Sequence, residues 1–133
     1  MYEIDESIEF LDEIDTEQII FGDFLEQDIR RKYNTIIGNP PYVKTNTGNL
    51  YIDFIEWCYE LLSHNGELIF IVPSDFMKLT SSGKLITRML EDGTFTDMIL
   101  PHDEKLFGNA SIDVMVFRYC KNKTRKLKRK NYL

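Results

Sequence analysis

The sequence predicts an α/β protein: a mostly parallel sheet with an antiparallel last strand, and helices packed against it. Two observations carry this. Short apolar or β-branched runs alternate with stretches in which apolar residues recur at helical spacing. The run Asn34-Thr35-Ile36-Ile37-Gly38 then ends abruptly in Asn39-Pro40-Pro41-Tyr42, which is how a buried parallel strand delivers a site at its carboxyl end. The composition agrees, with 43% hydrophobic and 29% charged residues in 133, enough for one modest core.

Taken in order, Met1–Asp5 reads as the end of a strand and Glu6–Leu11 as a short helix. Gln18–Gly22 is a second strand, with Gly22 letting the backbone bend where it stops. Residues 25–35 are a polar connection into the strand at Thr35–Gly38. Val43–Asn49, rich in Thr, Asn and Gly, reads as a loop, with Lys44 a solvated lysine. Tyr51, Phe54, Ile55, Cys58, Tyr59 and Leu62 form a helical stripe, closed by an αL cap at Asn65-Gly66. Leu68–Val72 is a buried strand, and Pro73-Ser74-Asp75-Phe76 follows on the same rim as the tetrapeptide. Ser81 or Ser82 caps a second helix carrying Leu85, Ile86, Met89 and Leu90, which Gly93 stops. Thr96–Leu100 is a strand, Pro101–Ser111 a loop, and Ile112–Tyr119 the last strand.

Composition excludes several function classes. No stretch is long and apolar enough to span a bilayer, and no signal peptide opens the chain. Cys58 and Cys120 lack metal-ligand or redox spacing and read as reduced core thiols in a cytoplasm. His64 and His102 are isolated, so no metal site is expected. The net charge of −6 is unevenly spread. Residues 121–130 hold seven Lys and Arg and no acid, which leaves −13 on residues 1–120. An acidic body with a basic tail admits a polyanion partner at one end only.

The tetrapeptide is the stretch that carries chemistry. Each proline fixes its own φ and restricts the residue before it, and neither has an N–H, so the carbonyls there are pure acceptors. Asn39 adds a side-chain oxygen and Tyr42 a flat aromatic face. Rigid acceptors beside a ring suit a planar substrate with an exocyclic amino group.

On these residues the chain resembles the amino-methyltransferases that use S-adenosylmethionine, and within them the γ-type N6-adenine DNA methyltransferases of bacterial restriction–modification systems. The resemblance implies a Rossmann-like methyltransferase fold, here incomplete. It implies that Asn39, Pro40, Pro41 and Tyr42 form the catalytic motif. In Glu-Ile-Asp, Glu3 matches the acid that binds the cofactor ribose, since a carboxylate accepts two hydroxyl protons at once. In Gly-Asp-Phe-Leu, Asp23 matches the acceptor for the cofactor's adenine amino group and Phe24 the aromatic on its ring. Phe107, just before the last strand, matches the aromatic that stacks with Tyr42 on the target base. The implied partner is double-stranded DNA with a flipped adenine.

The resemblance runs from Glu3 to about Tyr119 and departs from the family at both ends. No strand with a Gly-rich loop, which in the family cradles the methionine part of the cofactor, precedes Glu3, and a basic tail, 121–133, stands where target recognition normally follows. The expectation is therefore a partial catalytic domain over 1–120, cut on both sides. A complementing methyltransferase segment or a restriction subunit is the further partner this implies. Two other readings stand beside it. A protein-glutamine N5-methyltransferase shares Asn-Pro-Pro-Tyr, but the aromatic helix after the loop, Pro73 and Phe107 favour the DNA enzyme. A non-catalytic fragment that needs a partner chain is the reading outside enzymology.

Overall fold

The computed structural model describes residues 2–3, 20–46, 48–78, 80–101 and 113–122. They fall into two compact units, 1–30 and 31–133. In the first, β1 (Tyr2–Glu3) pairs in parallel with β2 (Ile20–Phe21), Glu3 opposite Phe21. A single 3-10 turn, Phe24–Glu26, follows Asp23. The short helix expected at Glu6–Leu11 lies outside the described residues.

The second unit holds a four-stranded sheet. Its strands are β3 (Tyr33–Gly38), β6 (Leu62–Pro73), β7 (Thr94–Ile99) and β8 (Val114–Cys120), in the spatial order β3-β6-β8-β7. β3 runs parallel to β6, while β8 lies antiparallel to both β6 and β7. Three strands thus share one direction and the last strand is antiparallel, as the sequence predicts, but β3 is an edge strand of this sheet with Ile37 73% exposed, not the buried strand expected. One face of the sheet is the core. Leu68, Phe70 and Val72 of β6 sit opposite Tyr119, Phe117 and Met115 of β8, and all six are buried. Two helices supply the other half of this core: α1 (Leu50–Glu60) with Tyr51, Ile55, Cys58 and Tyr59, and α2 (Thr80–Asp92) with Leu85 and Met89. Arg88 of α2 joins Glu56 and Glu60 of α1 at 3.0 and 3.6 Å. Burial pushes the Cys58 thiol up to about 12, so it stays protonated at neutral pH. Across the opposite face, Arg118 donates to Glu67 at 2.8 Å and to Thr96 at 2.8 Å, and Thr35 donates to Glu67 at 3.1 Å. That row links all four strands.

Three local expectations are corrected. Asn65-Gly66 does not end the first helix. α1 closes at Leu61, whose N–H donates to the Trp57 carbonyl at 3.0 Å, and Leu62 already belongs to β6. Asn65 does take the left-handed conformation, with φ 63°, but inside an irregular start of β6 where the register with β3 shifts. Its N–H donates to the Lys121 carbonyl at 2.7 Å, which ties this kink to the end of β8. Ser82 is no helix cap either: it is fully buried, and its hydroxyl donates to the Phe76 carbonyl. Finally, the loop after the tetrapeptide contains a tight antiparallel ribbon, β4 (Lys44–Thr45) with β5 (Gly48–Asn49). No helix among the described residues is long and apolar enough to cross a membrane.

Candidate active site

β3 ends at Gly38, and the next four residues are Asn39-Pro40-Pro41-Tyr42, placed at the carboxyl end of the sheet beside the end of β6. Pro40 is buried, Tyr42 is half-buried, and Asn39 and Pro41 are exposed. The segment is held at both ends. Behind it, Gly38 lies opposite Phe70, and a Cβ on Gly38 would fall 2.4 Å from Phe70 Cε1. Phe70 is buried and packs on Phe117, so its ring has nowhere to retreat. Ahead of it, the Leu50 N–H donates to the Val43 carbonyl at 2.8 Å, fixing the loop to the start of α1.

Gly38→Ala is therefore expected to cost about 1–3 kcal/mol by overpacking, and to displace Asn39 with it. Thermal unfolding checks this: a variant melting at the parent temperature would show that the ring gives way freely.

Tyr42 is the best-held side chain of the motif. Its hydroxyl lies 3.0 Å from Asn39 Oδ1 and 3.0 Å from the Ile71 carbonyl. Its ring meets Tyr51 edge-on, with centroids 6.1 Å apart. Tyr51 in turn meets Phe76 at 6.2 Å, and Phe76 stacks on Phe117 at 5.8 Å. A chain of rings thus runs from the rim into the core. Burial raises the Tyr42 phenol above its usual range, so it keeps its proton through neutral pH. Tyr51 is 3% exposed, with its hydroxyl shielded from solvent. Burial and the neighbouring Asp75 carboxylate push it up to about 12. Tyr51, Asp75, Gly38 and the Ile71 carbonyl are supports that the sequence does not single out. Tyr51 sits on the helical stripe, where an aromatic reads simply as core.

In the first unit, one carboxylate oxygen of Asp23 accepts from the Leu25 N–H at 3.0 Å and so caps the 3-10 turn. Phe24 meets the Tyr2 ring edge-on at 5.0 Å. These contacts fix the direction of both groups proposed for the cofactor's adenine, and a carboxylate with one oxygen capping still has acceptor capacity for an amino group. Glu3 lies on β1, in register with Phe21. Phe107 lies outside the described residues, so its placement against Tyr42 stays an expectation. Among the described residues no group of three His, Cys, Asp or Glu is arranged to hold a metal ion.

Residues 2–107 match the Eco57I restriction-modification methylase family. The chain belongs to that family. The matched span contains Asp23, Phe24 and the whole tetrapeptide. The chain is 29% identical over 144 residues to the type II methyltransferase M.HincII of Haemophilus influenzae, an alignment that covers 92% of this chain and 28% of that protein. It spans roughly a quarter of the length of the curated relatives it matches. Among solved structures, it superposes with TM-score 0.64 on the M protein of the type I restriction enzyme EcoKI, at 20% identity over 80% of this chain and 25% of that one. A structure from Listeria monocytogenes, described as a class I S-adenosylmethionine-dependent methyltransferase, gives TM-score 0.66 at 16% identity over 80% of this chain and 37% of the other. The chain's fold is that of the S-adenosylmethionine-dependent methyltransferases.

Proposed function

We propose that this chain supplies the catalytic rim of a DNA methyltransferase that moves a methyl group from S-adenosylmethionine to N6 of adenine. The observation that carries the reading is the Asn39–Tyr42 segment, rigidly mounted at the carboxyl end of β3 with its ring braced by Tyr51. Membership of a restriction-modification methylase family supports DNA as the substrate.

The chemistry follows from the groups. An adenine amino group is a weak nucleophile because its lone pair is delocalised into the ring. Asn39 Oδ1 and the Pro40 carbonyl accept its two hydrogens and favour a tetrahedral nitrogen with a directed lone pair. Tyr42, together with Phe107, holds the base outside the duplex, each stack worth about 1–3 kcal/mol. Glu3 takes the cofactor ribose, and Asp23 and Phe24 take its adenine. When bound, S-adenosylmethionine supplies an electrophilic methyl on a sulfonium centre. The protein's contribution is position and electrostatics, with no covalent intermediate.

Product identity tests the reading. The protein, in a reconstituted full-length context, is incubated with methyl-labelled S-adenosylmethionine and methylation-free genomic DNA, which offers every short sequence, and the nucleosides are then separated. The label is expected in N6-methyldeoxyadenosine. Label in N4-methyldeoxycytidine, or in a protein glutamine, would overturn the choice of substrate.

A further inference from the structure

The Tyr42 hydroxyl has one hydrogen and two acceptors. Asn39 Oδ1 and the Ile71 carbonyl each lie 3.0 Å from its oxygen. A phenol donates one hydrogen bond and accepts others, so it serves only one of these acceptors fully at a time. Ile71 belongs to β6, whose backbone is fixed by pairing with Val116 of β8. Asn39 is exposed, and the last torsion of an asparagine side chain is soft and roughly two-fold. The two acceptors are thus unequal: one is immovable and the other rotates.

This bears on the amino-group clamp, and it rests on that reading of the site. The clamp needs the Asn39 oxygen to meet an amino hydrogen. In the structure that oxygen faces the tyrosine hydroxyl. Turning the amide by half a rotation brings Nδ2 to the tyrosine and carries Oδ1 away from it. The hydroxyl accommodates both states. It donates to Asn39 Oδ1 in the first. In the second it donates to Ile71 and accepts from Asn39 Nδ2.

We propose that the Tyr42 hydroxyl is a positioning group that sets which end of the Asn39 amide is presented to the substrate amino group, with the Ile71 carbonyl as its alternative acceptor. The motif's tyrosine then has two separable parts. Its ring holds the base, and its hydroxyl readies the asparagine. A phenol kept protonated by burial suits this use, since a phenolate has no hydrogen to move.

Tyr42→Phe separates the two parts, because it keeps the ring. The direct readout is the Asn39 side-chain NH₂ pair in nitrogen-15 NMR spectra of the full 133-residue chain, identified as the pair lost in Asn39→Asp. The expected result is that Tyr42→Phe moves this pair while the remaining signals keep their dispersion. A second measurement covers a variant that fails to fold. Installing 3-fluorotyrosine at position 42 acidifies the hydroxyl with little change of shape and should move the same pair in the opposite direction. Superimposed Asn39 signals in parent, Phe and fluorinated proteins would overturn the proposal. In turnover, Tyr42→Phe should lose about two- to tenfold with DNA affinity retained, the scale of one neutral hydrogen bond. Asn39→Ala judges the underlying reading separately. If it turns over normally, the clamp falls and the positioning role falls with it. If it is silent while the Asn39 signals superimpose, only the role of the hydroxyl is lost.

Discussion

In a reconstituted full-length context, Asn39→Ala is expected to lower methyl transfer by roughly 10²–10³ while leaving cofactor binding intact, by analogy with the loss of one preorganised group that stabilises developing charge. The asparagine oxygen is proposed to strengthen its contact as the amino nitrogen becomes tetrahedral, so its removal acts on turnover rather than on ground-state binding. The groups proposed to hold the cofactor, Glu3, Asp23 and Phe24, lie elsewhere in the sequence. The side chain is exposed, so its truncation leaves no cavity in the core. Calorimetric titration with S-adenosylmethionine beside a steady-state rate separates the two quantities. Near-normal turnover would remove Asn39 from the mechanism.

Phe117→Ala should be the most damaging of these changes to the fold, at about 3–5 kcal/mol. Phe117 is fully buried at the middle of β8, and its ring meets Phe76 at 5.8 Å, Phe95 at 5.3 Å and Phe70 at 6.1 Å. It joins β7, β6 and the turn after β6 in one cluster. Against a total stability of about 5–15 kcal/mol, that loss leaves little margin. Because Phe76 carries Tyr51 and Tyr51 carries Tyr42, the cavity also undercuts the rim. Urea unfolding followed by circular dichroism reads the effect as a lower midpoint. A midpoint within experimental error of the parent would show that the cluster is not the core described here.

Much of this was legible in the residues. Asn39-Pro40-Pro41-Tyr42 after a β-branched run marks a strand end with a rigid acceptor site, and the strand is there, though at the edge of its sheet rather than buried. Leu68–Val72 and the stripe beginning at Tyr51 are long and regular enough to place a buried strand and an amphipathic helix. What escaped are positions where one residue type serves two geometries. Asn-Gly suits a helix end and a strand kink equally, because both ask for a positive φ; the choice at Asn65 is made by the Lys121 carbonyl, 56 positions away in the chain. Ser82 has the chemistry of a cap, and a buried carbonyl of Phe76 claims it instead. Tyr51 carries no mark that separates a brace for the site from ordinary core. The partner of the Tyr42 hydroxyl, a backbone carbonyl on another strand, has no signature in sequence at all.

The central claim is that residues around Asn39–Tyr42 form a working amino-methyl-transfer rim, and a graft tests it most directly. Residues 31–122 replace the aligned stretch of M.HincII, with and without Asn39→Ala, and transfer of labelled methyl groups is measured beside the unaltered relative. The expected result is a folded graft that transfers methyl groups and loses that transfer by roughly 10²–10³ when Asn39 becomes alanine. A graft that folds and binds S-adenosylmethionine but transfers nothing, or one that transfers equally well without Asn39, would contradict the account.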